Sequence, residues 1–506
     1  MTISFISVVS LISIGMLIWS CIEVGSNDAA NLVNAVFGSR ILERHKAVIL
    51  AGIFVILGTM YASPVVDTVR SGIFNIQHLT AQKAVSIFLA SYIVNTVILY
   101  TYSGYGLPIS TTATLIFSLA GGALGVSGDF SIIYWSTLAK VILAIFLSIF
   151  LSAIVAFLVQ RIFRGAIRKN CQNHETVMLH GPWITSLIIL GLTWFMLVKG
   201  MHLVQAETLL QWSQNKIGGS LTLFFSLWAA LAMFIWGILF VFGKKITPYL
   251  FHVTAVLGMI CMSFAFGQND LANCASPGLA NLLIWQNGIT GAADIQIPSW
   301  GLFACGFLIF LGMRTTRAQR VTRAEVNTAS QQNTVKIYAP EWCCAVARFI
   351  LKNTEAFQTS DKTKDIAPSS KKDPKGKKKH YDPLRASVIL SVSASVIAAA
   401  SGLGIPISTT YVSFAAVIAT GWADCIFTRG ASELKVGRTI WVITLWFVGG
   451  LIAVTCTGLV AFTLYRLEYL GIILVFLLNI SIRLFFKNRA NQHETMYHTK
   501  TKKIGI

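Results

Sequence analysis

Two short polar stretches stand out in this chain, and each occurs twice. Gly25-Ser26-Asn27-Asp28-Ala29-Ala30-Asn31 is echoed by Gly267-Gln268-Asn269-Asp270-Leu271-Ala272-Asn273. Gly106-Leu107-Pro108-Ile109-Ser110-Thr111-Thr112 is echoed by Gly404-Ile405-Pro406-Ile407-Ser408-Thr409-Thr410. On a helix Asn27, Asn31 and Asn34 share one face, with Asp28 on the adjoining one. Their amide oxygens and carboxylate, joined by backbone carbonyls freed through unwinding at Gly25 or Gly267, form a set of hard oxygen ligands suited to Na⁺. Asn269, Asp270 and Asn273 repeat the arrangement. The second stretch offers the complementary chemistry. Gly followed by Pro reads as a turn opening a helix, and the Ser and Thr after it place hydroxyls beside unpaired backbone N–H groups. A helix N-terminus of this kind holds anions through those donors and its dipole. Two such termini that converge can surround a tetrahedral oxyanion.

The elements that must position these residues are membrane spans. Of 506 residues, 55% are hydrophobic and 12% charged, where a soluble protein carries about a quarter charged. Mean hydropathy is +0.68. Apolar runs such as Ile132–Gln160, Leu221–Phe242 and Trp441–Leu464 exceed the roughly 18 residues that a span requires. Thirteen candidate spans follow, from 4–36 to 467–486, each Pro-Ile-Ser-Thr-Thr segment being read as one crossing. An Asp at the bilayer centre costs about 2.5–3.5 kcal/mol or more, so Asp28 and Asp270 imply function. The net charge of +20 lies in loops and in the tail after Arg483. That is the bias of cytoplasmic loops and argues against a nucleic-acid-binding face. Met1–Ile22 carries no basic start and reads as a retained first span rather than a cleaved leader. The nine cysteines have neither zinc-site nor disulfide-framework spacing, and no cofactor is expected.

The repeat organises the chain. Asn27 precedes Pro108 by 81 residues and Asn269 precedes Pro406 by 137. Most of that surplus is accounted for by 314–383, which is 53 residues longer than its counterpart 67–83. Arg40, Arg44 and Lys46 place the first loop inside, and Arg161, Arg164, Arg168 and Lys169 do so after the fifth span. Two more spans return the chain inside at Lys244 and Lys245. The first half therefore starts outside and the second inside, giving an all-α polytopic membrane protein built as an inverted-repeat secondary transporter with broken helices at the midplane. The division expected is 1–160 for the first half, 161–248 for linking spans, and 249–313 with 384–464 for the second half, with the last span and basic tail in 465–506. The interruption 314–383 holds 15 Lys or Arg against 7 Asp or Glu and reads as a solvated cytoplasmic linker. Within it, Tyr338–Leu351 has the pattern of an amphipathic surface helix.

Across all but 314–383 and the tail, the motifs resemble those of the inorganic phosphate transporter (PiT) family, with a Gly-x-Asn-Asp-x-x-Asn-Ala type and a Gly-x-Pro-x-Ser-Thr-Thr motif in each half. The resemblance implies a dimeric carrier in the cell membrane that moves phosphate with Na⁺ or H⁺ by alternating access, and not an enzyme. It implies that Ser110, Thr111, Thr112, Ser408, Thr409 and Thr410 hold phosphate. It also implies that Asp28, Asn31, Asp270 and Asn273 hold the cation, with Asn27 and Asn269 helping to bind substrate. The chain departs from the family where Ala113 and Tyr411 stand in place of a frequent His, and where Leu32-Val33 and Cys274-Ala275 follow the Asn. Some proton-coupled members carry His at the motif Asn; Asn27 and Asn269 are intact here, which favours Na⁺ over H⁺. Sulfate is the runner-up substrate, being another tetrahedral oxyanion. A phosphate-processing membrane enzyme is a remote alternative, since it would want a metal-binding Asp pair or a His/Arg clamp at a span end.

Overall fold

A computed structural model describes residues 4–167, 173–201, 204–216, 218–287, 298–332, 335–355, 379–428 and 431–503. Arg168, Lys169 and most of the Lys-rich run 371–379 lie outside the described residues. The helices are α1 (Phe5–Gly38), α2 (Arg44–Thr59), α3 (Ser63–Ser71), α4 (Ala81–Gly104), α5 (Thr111–Ser127), α6 (Trp135–Ala166), α7 (His174–Thr193) and α8 (Val204–Lys216). They continue as α9 (Ser220–Ile246), α10 (Leu250–Asn287), α11 (Ser299–Met313), α12 (Thr316–Thr328), α13 (Glu341–Glu355), α14 (Pro383–Gly402), α15 (Thr409–Ala423) and α16 (Ser432–Lys503).

Among the described residues, eight helices are long and apolar enough to cross a membrane, or up to ten spans if each bent pair counts as one. The bent pairs are α2 with α3, at 71°, and α11 with α12, at 67°. Apolar side chains such as Leu143, Phe150, Leu221, Phe240, Leu459 and Leu477 point outward, as a lipid-facing surface requires. Trp135 and Trp300 are exposed at the starts of α6 and α11, where interfacial aromatics belong.

At the centre, α1 and α10 run antiparallel, with Ser10 and Ser13 meeting Asn281. Both are continuous through their Asn-Asp motifs. The unwinding expected at Gly25 and Gly267 does not occur. These glycines instead permit close helix contact: a Cβ on Gly25 would sit 1.9 Å from the Ile309 carbonyl oxygen, and one on Gly267 2.2 Å from that of Val55. The central interruptions lie in the other motif. Gly106 and Gly404 both have φ +66°, a left-handed conformation that Gly adopts without the Cβ penalty. Each turns the chain just before Pro-Ile-Ser-Thr-Thr.

The Pro-Ile-Ser-Thr-Thr segments are the turns of two helical hairpins, α4 with α5 and α14 with α15. The α5 end returns to the α3–α4 connection, where the Asn75 amide bonds the Ile132 carbonyl at 2.9 Å. Asp382 at the start of α14 and Asp424 at the end of α15 both meet Arg164. The tips approach from opposite sides and touch: the Thr112 hydroxyl donates to the Ile407 carbonyl, and Thr410 donates to Ile109. The two hairpins meet through these segments, and the turn of the first reaches on to Arg320 and Arg438, which bond the Gly104 and Gly106 carbonyls. Because each hairpin contributes an arm in and an arm out, the loop orientations read from Lys and Arg are unchanged.

The segment 314–383 is more than a linker. Its first part, α12, packs along α1, where Asn34 Nδ2 donates to Glu325 Oε2 at 2.8 Å. At its far end the His380 and Tyr381 amides both bond the Gly38 carbonyl. Between them α13 forms near the expected place, with Trp342 and Phe349 outward and Arg348 paired to Glu433. The last helix, α16, reverses at Glu468, where φ is 46°. Its two arms flank α4: Tyr102 bonds the Leu445 carbonyl in the first, Asn479 bonds the Ile93 carbonyl in the second, and Gln82 bonds Glu468 at the turn.

Candidate functional site

All twelve residues singled out in the motifs come together between α1, α10 and the two hairpin tips, and all are buried. Local sequence starts each tip helix as expected. Ser110 precedes α5 and its hydroxyl accepts the Ala113 amide; Ser408 precedes α15 and accepts the Tyr411 amide. Capping of this type fixes the first turn while leaving Thr111 and Thr112, or Thr409 and Thr410, in it.

The contacts fall into equivalent pairs. Asn27 Nδ2 donates to the Ile109 carbonyl at 2.6 Å, and Asn269 Nδ2 to the Ile407 carbonyl at 2.8 Å. The Ser103 hydroxyl donates to Asn27 Oδ1, and Ser401 to Asn269 Oδ1. Asn27 and Asn269 thus commit both ends of their amides to the tips and act as clamps. Ser103 and Ser401 were not among the expected residues, yet they had a signal. The repeat begins three residues earlier than its Gly-x-Pro core, as Ser103-Gly104-Tyr105-Gly106 and Ser401-Gly402-Leu403-Gly404.

The carboxylates bind across the halves. Asp28 Oδ1 accepts from Thr410 at 2.8 Å, from Asn31 at 3.1 Å and from Asn27 at 2.8 Å. Asp270 Oδ1 accepts from Thr111 at 3.1 Å and from Asn273. Asn273 also donates to the Thr111 and Thr112 hydroxyls, and Asn31 to Thr410. Four buried oxygens of these side chains have no hydrogen-bond partner: Asp28 Oδ2, Asn31 Oδ1, Asp270 Oδ2 and Asn273 Oδ1. Among the described residues, neither carboxylate is paired with Lys or Arg. A carboxylate held in a low-dielectric interior without a countercharge is costly. Oxygen ligands with free lone pairs around two carboxylates therefore fit a hard monovalent cation.

Besides Asp382 and Asp424 at the base of the second hairpin, two buried acids close to the α1 motif escaped the sequence reading. Glu23 lies one turn before Asn27 on α1 and pairs with Arg317 and Arg483. Glu325 on α12 meets Asn34, which continues the Asn stripe of α1. Glu23 could have been found as an acid within the first apolar run; Glu325 lay in a segment with the composition of a linker.

Known proteins place this architecture. A family model described as the phosphate transporter family matches residues 24–331. A candidate phosphate permease of Pyrococcus furiosus is 26% identical over 456 residues, covering 88% of this chain and 92% of its own. One of Chlamydia trachomatis is 25% identical over 458 residues, covering 84% and 91%. A solved structure described as the sodium-dependent phosphate transporter superposes with a TM-score of 0.67 at 19% identity, covering 91% of this chain and all of that one. The likeness in fold spans the bundle, and the family match includes both Asn-Asp motifs and the first hairpin tip. The chain belongs to the phosphate transporter family, as a multi-pass protein of the cell membrane and not an enzyme.

Proposed function

We propose that this protein carries inorganic phosphate across the membrane together with Na⁺, by alternating access of one central site. The observation that carries the reading is the set of four unpartnered oxygens on Asp28, Asn31, Asp270 and Asn273, beside two opposed helix N-termini at Thr111 and Thr409. The first set suits cations, the second a tetrahedral anion. Coupling follows from their proximity. At an effective dielectric of about 20, an anion ~4 Å from an uncompensated carboxylate is disfavoured by about 4 kcal/mol, roughly a thousandfold in affinity. Phosphate binding then requires cations at Asp28 and Asp270 first, and neither solute travels alone.

In this scheme the N-terminal N–H groups and the Thr111, Thr112, Thr409 and Thr410 hydroxyls receive phosphate oxygens, with Ser110 and Ser408 fixing those turns. Asn27 and Asn269 bind the tips, so their effect on substrate is through position. The paired contacts on the two sides support an inverted repeat in which the tips part alternately towards either face. Na⁺ is favoured over H⁺ because the cluster supplies oxygen ligands and no His. The test is uptake of radiolabelled phosphate into proteoliposomes. Uptake is expected to follow an inward Na⁺ gradient and to survive collapse of the proton gradient by ionophore. An equal rate driven by a pH gradient in Na⁺-free buffer overturns Na⁺ coupling, and equal labelled-sulfate uptake overturns selectivity for phosphate.

A further inference from the structure

Away from the central site, two cavities adjoin between α4, α12 and the two arms of α16. One is apolar, about 360 Å³, with Val94, Ile98, Cys456, Leu459, Val475 and Leu478 in its walls. The other is about 150 Å³ and basic, walled by Tyr100, Arg317, Arg320, Lys487 and Asn491. Thr101 and Phe486 line both, so the two are immediate neighbours. We propose that this composite groove binds a phospholipid, its acyl chain in the apolar slot and its phosphate in the basic cavity.

The order of the cavities matches the order of a lipid. α4 and the second arm of α16 run in the same direction, as Gln82 with Glu468, Ile93 with Asn479 and Gly104 with Ala490 show. The slot therefore lies deeper, and the basic cavity nearer the end of the bundle that carries Arg40 and Arg44. Exposed apolar residues of α16 continue to Phe485, and the exposed Lys487 follows at once. That is where hydrocarbon gives way to headgroups. The charges fit a phosphate. Glu23 is engaged by Arg317 and Arg483, and among the described residues the wall of the basic cavity holds no Asp or Glu. Arg317 and Arg483 both lie over the Tyr100 ring, at 4.2 and 4.8 Å, which holds the guanidinium groups in place. Basic pockets between helices on the cytoplasmic side are recognised places for anionic headgroups. Arg320 also donates to the Gly104 carbonyl beside the hairpin turn, which joins the groove physically to the tip that positions Ser110.

The test uses the full-length protein in nanodiscs containing phosphatidylglycerol, released and weighed by native mass spectrometry. Wild type is expected to retain one phosphatidylglycerol per protomer. Lys487→Gln combined with Arg320→Gln removes headgroup contacts, and Val97→Trp, at another residue of the slot's wall, fills the slot; each should lower retention at least tenfold. Lys487→Arg should retain the lipid. Lys487 is exposed, so Lys487→Gln alone provides a variant that keeps its fold, with a several-fold loss expected. Equal retention by all variants overturns the proposal. So does a second equivalent of bound inorganic phosphate that Arg320→Gln abolishes and Val97→Trp leaves intact, because free phosphate would then be the occupant.

Discussion

The hairpin tips and the hairpin bases are built on opposite plans. At the tips the two halves mirror each other: Asn27 and Asn269 clamp Ile109 and Ile407, while Thr112 and Thr410 cross to the opposite carbonyls. At the bases they diverge. On the side of the Arg loops, Arg164 pairs with Asp382 and Asp424, and Gln160 and Gln331 bond the same carboxylates. Arg385 and Lys435 bind the Ala329 and Ser330 carbonyls nearby. On the other side, the bases of α4 and α5 are joined by a short backbone bridge between Phe74 and Ile133, with an exposed Asp129 turned onto Ser131. A site that must look alike from either face needs matched tips. The bases need not match, and here one face is fastened by buried charge and the other by a few backbone bonds.

The largest effect tests the mirror. Asp28→Asn and Asp270→Asn should each reduce concentrative phosphate uptake by at least a hundredfold with normal membrane expression. The two should be similar in size, because each loses the charge that recruits a cation. Near-normal uptake by either, measured at limiting phosphate and Na⁺, breaks the equivalence of the halves.

An intermediate effect tests the asymmetry at the bases. Arg164→Met leaves Asp382 and Asp424 buried without their cation, and breaking a buried pair this way costs about 3–5 kcal/mol. Thermal unfolding of the purified protein should show a clear loss of stability, and Cys425, the buried neighbour of Asp424, should label faster. Asp129→Ala at the opposite base should change neither. Equal effects of the two variants would mean that the buried charges do not close that face.

The smallest effect concerns the segment with no counterpart in the first half. Replacing 356–378 by a Gly/Ser linker of equal length should leave uptake in proteoliposomes within about twofold of wild type, since both motifs and the helices around them lie outside it. Loss of phosphate binding by the purified variant would place part of the site in this segment.

Much of the central site was legible before any coordinates. An Asp in an apolar run is too costly to be idle, and the same cluster appearing twice with the same companion motif identified all twelve residues around the tips. Apolar length marked the chain as a bundle of membrane spans, because transfer from water to hydrocarbon depends on composition, although eight to ten of the described helical stretches, not thirteen, are long and apolar enough to cross. Ser103 and Ser401 were within reach of the same comparison, three residues upstream. What composition could not decide was how helices pack. Hydropathy does not say which segments meet, so the contact between the two Pro-Ile-Ser-Thr-Thr turns, where Thr112 bonds the Ile407 carbonyl, belongs to the tertiary structure. Gly25 and Gly267 carry no mark that separates a glycine permitting unwinding from one permitting contact; the carbonyls of Ile309 and Val55 resolve it. Glu325 and Arg164 read as loop charges, and only the tertiary structure buries them against Asn34 and Asp424. Sequence determined which atoms could bind, because that follows from residue type and repetition. Tertiary structure decided which of them hydrogen-bonding leaves available, because that depends on partners hundreds of residues away.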